Sequence, residues 1–248
     1  MRAGDFFING LSGIGDLHAV LTTLPKIPKP KRKRLSFDIA GASRSAYVDE
    51  DSWEPREFEL SVALVSESED DRLMREGWLF NAFNQPGPVP FRYYAEPAYT
   101  YYVVSADVAE QDRPARMSQT RVWTIKAEAD AYKYFERDKI IEFDAAGKVD
   151  NPFLSVAKPL ITVYGQGDIT LNWGDQAIKL TGVTGNVSID SDEFQQDIYT
   201  TTADGTQTLC AERATLSEFP VLAAYQHTAV SWTGSVSKVT VEPRWRLL

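Results

Sequence analysis

Apolar and polar positions alternate with a period of two along much of this chain. In the clearest case Phe58, Leu60, Val62 and Leu64 fall in one phase and Glu57, Glu59, Ser61 and Ala63 in the other. Successive side chains of a strand point to opposite faces, so this spacing predicts a half-buried β-strand. The next residues, Ser66, Glu67, Ser68, Glu69, Asp70 and Asp71, are hydroxyls and acids. Such groups satisfy the free N–H groups and the positive end of a helix. A helix is therefore predicted from this point to about Phe83, with Leu73, Met74, Trp78, Leu79 and Phe83 as its apolar stripe. Pro86-Gly87-Pro88 cannot continue it.

Strands are predicted again over 91–94, 100–109 and 121–129, the last with Trp123, Ile125, Ala127 and Ala129 in phase. Over 135–159 the alternation gives way to turn-forming residues, including Gly147 and the pair Asn151-Pro152. This predicts two domains, 1–138 and 139–248. In the second, short apolar runs at 160–164, 169–173, 177–180, 186–189, 228–232 and 236–241 are punctuated by Gly165, Gly167, Gly174 and Gly182. Short strands joined by glycine turns are expected, as in an antiparallel sandwich or jelly roll. The predicted fold class is mainly β with one helix.

Composition agrees: 248 residues with 43% hydrophobic and 12% aromatic are enough to bury a core and suit a pleated sheet. The net charge is −9, and both halves are acidic, with 18 basic against 22 acidic residues up to position 138 and 8 against 13 beyond it. General nucleic-acid binding needs clustered cations that outweigh the acids, so it is disfavoured. The single Cys210 allows no internal disulfide and no multi-thiolate metal site, which fits assembly in a reducing cytoplasm. It is expected to be an inert small side chain. Neither a signal-like apolar segment nor a membrane-spanning run is evident, so secretion and membrane insertion are not expected.

Chemical motifs are scarce. The two histidines, His18 and His227, sit in no recognisable pattern and read as surface or turn residues. The stretch from Gly41 to Ser45 lacks the second glycine of a nucleophile elbow, and no HExxH occurs. The glycines at 10, 13 and 15, and those at 165 and 167, lack the strand and helix context of a dinucleotide site. Asp190, Asp192 and Glu193 lack calcium-loop spacing and read as a solvated turn. No catalytic, cofactor-binding or metal-binding residue is assigned, no cofactor is expected, and the chain is read as non-enzymatic. A cell-wall hydrolase is the weakest reading.

Tyr164, Trp173 and Trp232 suggest a carbohydrate platform, but Trp173 is in phase with Ile169 and Leu171, and Trp232 with Val230. Core packing is the simpler expectation for both tryptophans. A module that binds bacterial cell-wall glycans remains the alternative function.

The most unusual segment runs from Lys26 to Arg34, with six basic residues in nine and prolines at 28 and 30. Prolines favour an extended, exposed course, and the acidic runs Asp49-Glu50-Asp51 and Glu67 to Asp71 follow. In a ring of copies the basic strip could meet a neighbour's acidic surface, an attraction that salt weakens. Lys29, Lys31, Arg32, Lys33, Arg34, Asp49, Glu50 and Asp51 are accordingly the candidate intersubunit or partner contacts. A DNA-facing role for the strip is the lesser alternative.

Several ordered segments carry a resemblance. They are Phe7-Ile8-Asn9-Gly10, the basic strip before a strand, and Gly41 followed by Tyr47, Asp49, Trp53 and Glu54-Pro55, then the alternating strand and the acid-led helix with Trp78. In the second half they are Lys158 to Asp168, Gly185 to Asp190, Phe219-Pro220-Val221-Leu222, Val230 to Gly234, and Glu242-Pro243-Arg244-Trp245-Arg246. In this order they resemble the distal tail proteins of long-tailed siphophages, over nearly the whole chain. The resemblance implies an N-terminal β-sandwich or split barrel with one helix and a projecting hairpin, and a C-terminal jelly roll of galectin-like or carbohydrate-module-like form. It further implies a six-fold ring, the hub between the tail tube and the tail-associated fibre or lysin protein. The outer domain would hold receptor-binding or baseplate proteins, and DNA would be passing cargo. The implied location is the virion tail tip, after assembly in the bacterial host cytoplasm.

Overall fold

The structure, a computed structural model, describes residues 1–41, 43–112, 120–136 and 140–248. Two compact units are present, residues 1–133 with Leu248, and residues 134–247. The boundary expected between 138 and 139 lies outside the described residues, as does Ala42 of the Gly41 to Ser45 stretch. Among the described residues the protein is mainly β with one α-helix, the fold class expected from the sequence.

The first unit contains β1 (Phe6–Ile8), β2 (Leu11–Ser12), β3 (Ala19–Leu21), β4 (Arg32–Phe37), β5 (Ala46–Trp53), β6 (Arg56–Val65), α1 (Glu69–Phe83), β7 (Val89–Tyr93), β8 (Tyr99–Asp112) and all but the last two residues of β9 (Thr120–Phe135). Its main sheet has the order β2-β1-β7-β8-β9-β6-β3. The sheet curls back on itself: Leu21 N–H donates to the Gly4 carbonyl at 2.8 Å and Ala19 N–H to the Gly13 carbonyl at 2.7 Å. Gly13 permits that closure, since a Cβ there would stand 2.4 Å from the Phe6 ring.

Phe58, Leu60, Val62 and Leu64 of β6 all face the core, between 0% and 5% exposed. Phe6, Phe91, Tyr93 and Tyr101 join them. Helix α1 begins where the hydroxyls and acids predict: the Ser68 side chain caps it by accepting from Asp71 N–H. Its inward face is Leu79, Ala82 and Phe83, and the Phe83 ring centroid lies 6.4 Å from that of Phe6. The predicted stripe is corrected at three positions, because Leu73, Met74 and Trp78 stand about half-exposed on the outward side.

The second unit contains β10 (Ile141–Phe143), β11 (Gly147–Asp150), β12 (Leu160–Trp173), β13 (Gln176–Asp190), β14 (Ile198–Thr201), β15 (Gln207–Leu209), β16 (Ala214–Thr215), β17 (His227–Glu242) and β18 (Arg246–Leu247). Its sheet order is β10-β17-β12-β13-β14-β15, with β11 on β17 and β16 on β13. The expected short strands are merged pairwise: 160–164 and 169–173 are one strand, as are 177–180 with 186–189 and 228–232 with 236–241. Gly165 and Gly167 do not end β12. They lie where its pairing register shifts. A Cβ on Gly165 would stand 2.3 Å from the Ser235 carbonyl oxygen, and one on Gly234 would stand 2.5 Å from that of Asp168. These glycines allow two long strands to touch while they bend, the usual role of a bulge. Gly174, with positive φ, does make a turn, in the tight link between β12 and β13.

Ile161, Val163, Leu171, Ile178, Val187, Val239 and Val241 form the core of this unit at 0% exposure. Trp173 is buried in it and donates its indole N–H to the Val221 carbonyl at 2.9 Å. Trp232 packs partly buried against the same core. Neither ring is a free sugar platform, as their phase along the strands predicts.

Candidate assembly surface

Six of the eight charged candidates converge on one element, and Lys29 and Lys31 lie just before it. Antiparallel pairing of β4 with β5 makes a two-stranded sheet apart from the two larger ones. Arg32, Lys33 and Arg34 lie in β4 and Asp49, Glu50 and Asp51 in β5. Arg32 pairs with Asp49 at 2.5 Å and Asp51 at 2.7 Å, and Arg34 lies 3.6 Å from Asp49. The Arg32 guanidinium also sits over the Trp53 ring, 5.5 Å from its centroid. Its hydrogen bond is the chief reason the Asp49 carboxyl is held below the ordinary carboxylate range. Much of the unlike charge that the sequence presents as two separate runs is thus paired within one chain, across the hairpin. Folding brings residues 17 and 19 positions apart into contact.

The base of this hairpin is anchored. Glu54 N–H donates to the Lys31 carbonyl at 2.8 Å, and Lys29 Nζ donates to the Leu248 carbonyl at 3.0 Å. Arg56, 2% exposed, reaches the Pro28 carbonyl with Nη1 and the Ala131 carbonyl with Nε. Its guanidinium lies 5.7 Å from the Tyr101 ring centroid. Beside it the Tyr101 hydroxyl donates to Glu96, which also accepts from Lys133 at 2.5 Å. Burial alone raises the Glu96 carboxyl, but the Lys133 and Tyr101 hydrogen bonds outweigh it and hold the group low.

The hairpin blades are different, because their side chains are open to solvent. Register places Leu35 opposite Val48 and Phe37 opposite Ala46, so these four share one face. Leu35, Phe37 and Val48 are 50%, 52% and 53% exposed. Arg34, Asp49, Ser36 and Tyr47 make the other face. A lone two-stranded hairpin is at best marginal in water, so an apolar face of this kind favours a partner.

A second exposed apolar surface lies on the outward side of α1, where Leu73, Met74, Trp78 and Phe80 are 45% to 57% exposed. Grooves of about 290 Å³ and 350 Å³ flank the helix, one lined by Phe80, Val108 and Trp123, the other by Leu11, Leu17 and Trp78. Sequence reading misses this surface, although a signal is present: apolar residues at 73, 74, 78, 79, 80 and 83 are too many for one stripe.

Elsewhere the acidic cluster of the second unit is paired, although the buried Ser191 hydroxyl beside it has no hydrogen-bond partner among the described residues. Asp190 is corrected from a solvated turn to a buried group, 2% exposed, held by both Nη atoms of Arg244 at 2.6 and 3.0 Å. Glu193 pairs with Arg246 at 2.9 Å. Among the described residues no cluster of His, Cys, Asp or Glu is arranged to hold a metal ion, and no helix is long and apolar enough to cross a membrane. His18 and His227 are exposed, and burial pushes the Cys210 thiol up.

No protein-family model matches the chain, and no curated protein matches it in sequence. Solved structures do match it in fold. The crystal structure of SPP1 Dit, presented as a paradigm of the hub adsorption apparatus in phages infecting Gram-positive hosts, superposes with a TM-score of 0.70. It covers 98% of this chain and 99% of that one at 17% identity. A chain of the phage p2 baseplate in its activated conformation with strontium gives a TM-score of 0.54 over 95% of this chain and 97% of that chain, at 10% identity. The calcium form gives 0.52 over the same shares at 11% identity. The chain shares the fold of these phage hub and baseplate proteins through both of its units.

Proposed function

We propose that this chain is a structural hub of a phage tail tip, a distal tail protein whose copies close into a six-fold ring between the tail tube and the tail-associated fibre or lysin protein. The observation that carries this reading is the fold likeness to SPP1 Dit over 98% of the chain, spanning two units of different architecture. The exposed hairpin and the outward face of α1 support it, because a head-to-tail ring uses two different patches on each subunit. The ring would be built in the host cytoplasm and carried in the virion. Its lumen would pass DNA, and the net charge of −9 favours a weak hold on that cargo. The second unit would hold receptor-binding or other baseplate proteins. A glycan-binding function loses its best candidates, since Trp173 is a core residue and Trp232 packs partly buried on the core.

The test is the size and symmetry of the purified chain, alone and mixed with the tail-tube and fibre proteins of the same phage. Sedimentation and negative-stain class averages are expected to show six-fold rings. A chain that stays monomeric alone and in every mixture would overturn the proposal.

A further inference from the structure

The hairpin face and the outward face of α1 correspond in the order of their groups and in spacing. At about 100° per residue, Asp70, Gly77 and Asn81 follow the outward centre line of α1. Leu73 and Phe80 form an apolar ridge on one side of that line, and Met74 and Trp78 form one on the other. Gly77 is the dent between them, since a Cβ there would meet nothing within 4 Å. The face therefore reads, from its N-terminal end, as an acid, then an apolar pair, then a hollow. Among the described residues Asp70 makes no ion pair that would compete for a cation.

Strand β4 carries the matching series. By alternation Lys33 lies on the same side as Leu35 and Phe37, at the base of the apolar face, and among the described residues it too makes no ion pair. Along a strand Leu35 is about 7 Å and Phe37 about 13 Å from Lys33. Along a helix the Leu73 and Met74 pair is about 5 Å and Gly77 about 10 Å from Asp70. The two series agree within about 3 Å, well inside the reach of a Lys side chain. The apolar side chains of both surfaces stand open to solvent in the single chain, with Lys33 partly buried beside them.

We infer that the apolar face of the β4–β5 hairpin of one copy seats in the Gly77 groove of α1 on the next copy, with Phe37 in the hollow, Leu35 between the ridges and Lys33 against Asp70. A second copy is the fitting occupant because both halves of the contact are carried by the same chain and are unlike each other, the arrangement that propagates head to tail. The inference rests on the proposed ring and identifies the surfaces that close it. Lys33 and Asp70 set direction, while the apolar groups supply most of the adhesion.

The experiment uses two variants of the full chain, Phe37→Asp and Gly77→Gln, followed by sedimentation. Phe37 is half-exposed, and Gly77 has open space with a residue better suited to a helix placed there, so both variants keep the fold. Each alone is expected to self-associate at least about ten-fold more weakly than the unaltered chain. An equal mixture is expected to form heterodimers and nothing larger, because the intact hairpin of the Gly77→Gln chain meets the intact groove of the Phe37→Asp chain. If the unaltered chain assembles and both variants assemble equally well, the inference is overturned while the ring stands. If the variants fail alone and the mixture stays monomeric, the contact joins other surfaces and the inference again falls. A monomeric unaltered chain, alone and with its tail partners, removes the ring and the inference together.

Discussion

Two antiparallel hairpins in this chain follow the same pairing rules and end in different environments. In β12–β13, Ile161, Val163 and Leu171 alternate with polar residues and are fully buried, because β17 pairs along the other edge of β12 and a core lies beneath. In β4–β5, Leu35 and Phe37 alternate with Arg34 and Ser36 in the same manner and remain half-exposed, because among the described residues no third strand extends their sheet and nothing buries their face. Alternation marks a face that gains by burial. It does not tell which molecule supplies the cover.

That contrast can be broken most severely in the second unit. Gly234→Val places a Cβ 2.5 Å from the Asp168 carbonyl oxygen at a φ of +101°, and is expected to cost about 4 kcal/mol or more in denaturant unfolding of that unit. A normal midpoint would show that the strands separate there without loss. A matched pair of leucines sharpens the comparison next. Leu171→Ala, at a fully buried position, should cost about 3 kcal/mol. Leu35→Ala on the exposed hairpin should change monomer stability by no more than about 0.5 kcal/mol. Equal costs would mean that the hairpin face is already covered within the monomer.

The smallest effect is expected at the charged rungs. Asp49 has a depressed carboxyl, so its contribution to hairpin order is complete above the unfolded value near about 3.9 and is lost as pH falls through the lower folded value. Protection of the β4 and β5 amides, relative to their intrinsic exchange at each pH, should therefore fall at acid pH ahead of that of the cores. Arg32→Gln should weaken that pH dependence, leaving the Asp51 N–H and Arg34 to act on Asp49, and leave the thermal midpoint unchanged. Protection of the two blades that ignores both pH and the substitution would assign their order to something other than the ladder.

Much of the fold is legible in the order of the residues. The phase of Phe58 to Leu64, the acid-led start of α1, and the phase of Trp173 and Trp232 all report local periodicity or local capping, which neighbours in sequence dictate. Strand length is less legible. Gly165 reads as a turn from sequence, yet it and Gly234 each lie in a continuous strand whose close approach to the other needs the missing Cβ. A glycine states that a side chain is intolerable, and only the packing shows whether a turn or a contact is the cause.

Charge pairing divides the same way. The basic strip and the Asp49 to Asp51 run are plain in the sequence, but their union within one hairpin follows from register, which depends on where the chain reverses. Asp190 and Arg244, 54 residues apart, could be joined only by folding. Arg56, by its position at the start of a strand, gives no sign that burial and the Pro28 carbonyl await it.

By itself the sequence determined a mainly β protein with one capped helix, because periodicity and caps are properties of near neighbours. The tertiary structure decided which apolar faces are covered and which acids are paired, because both depend on what distant segments bring to the same place. Among the described residues it left the apolar face of the β4–β5 hairpin and the outward face of α1 open to solvent.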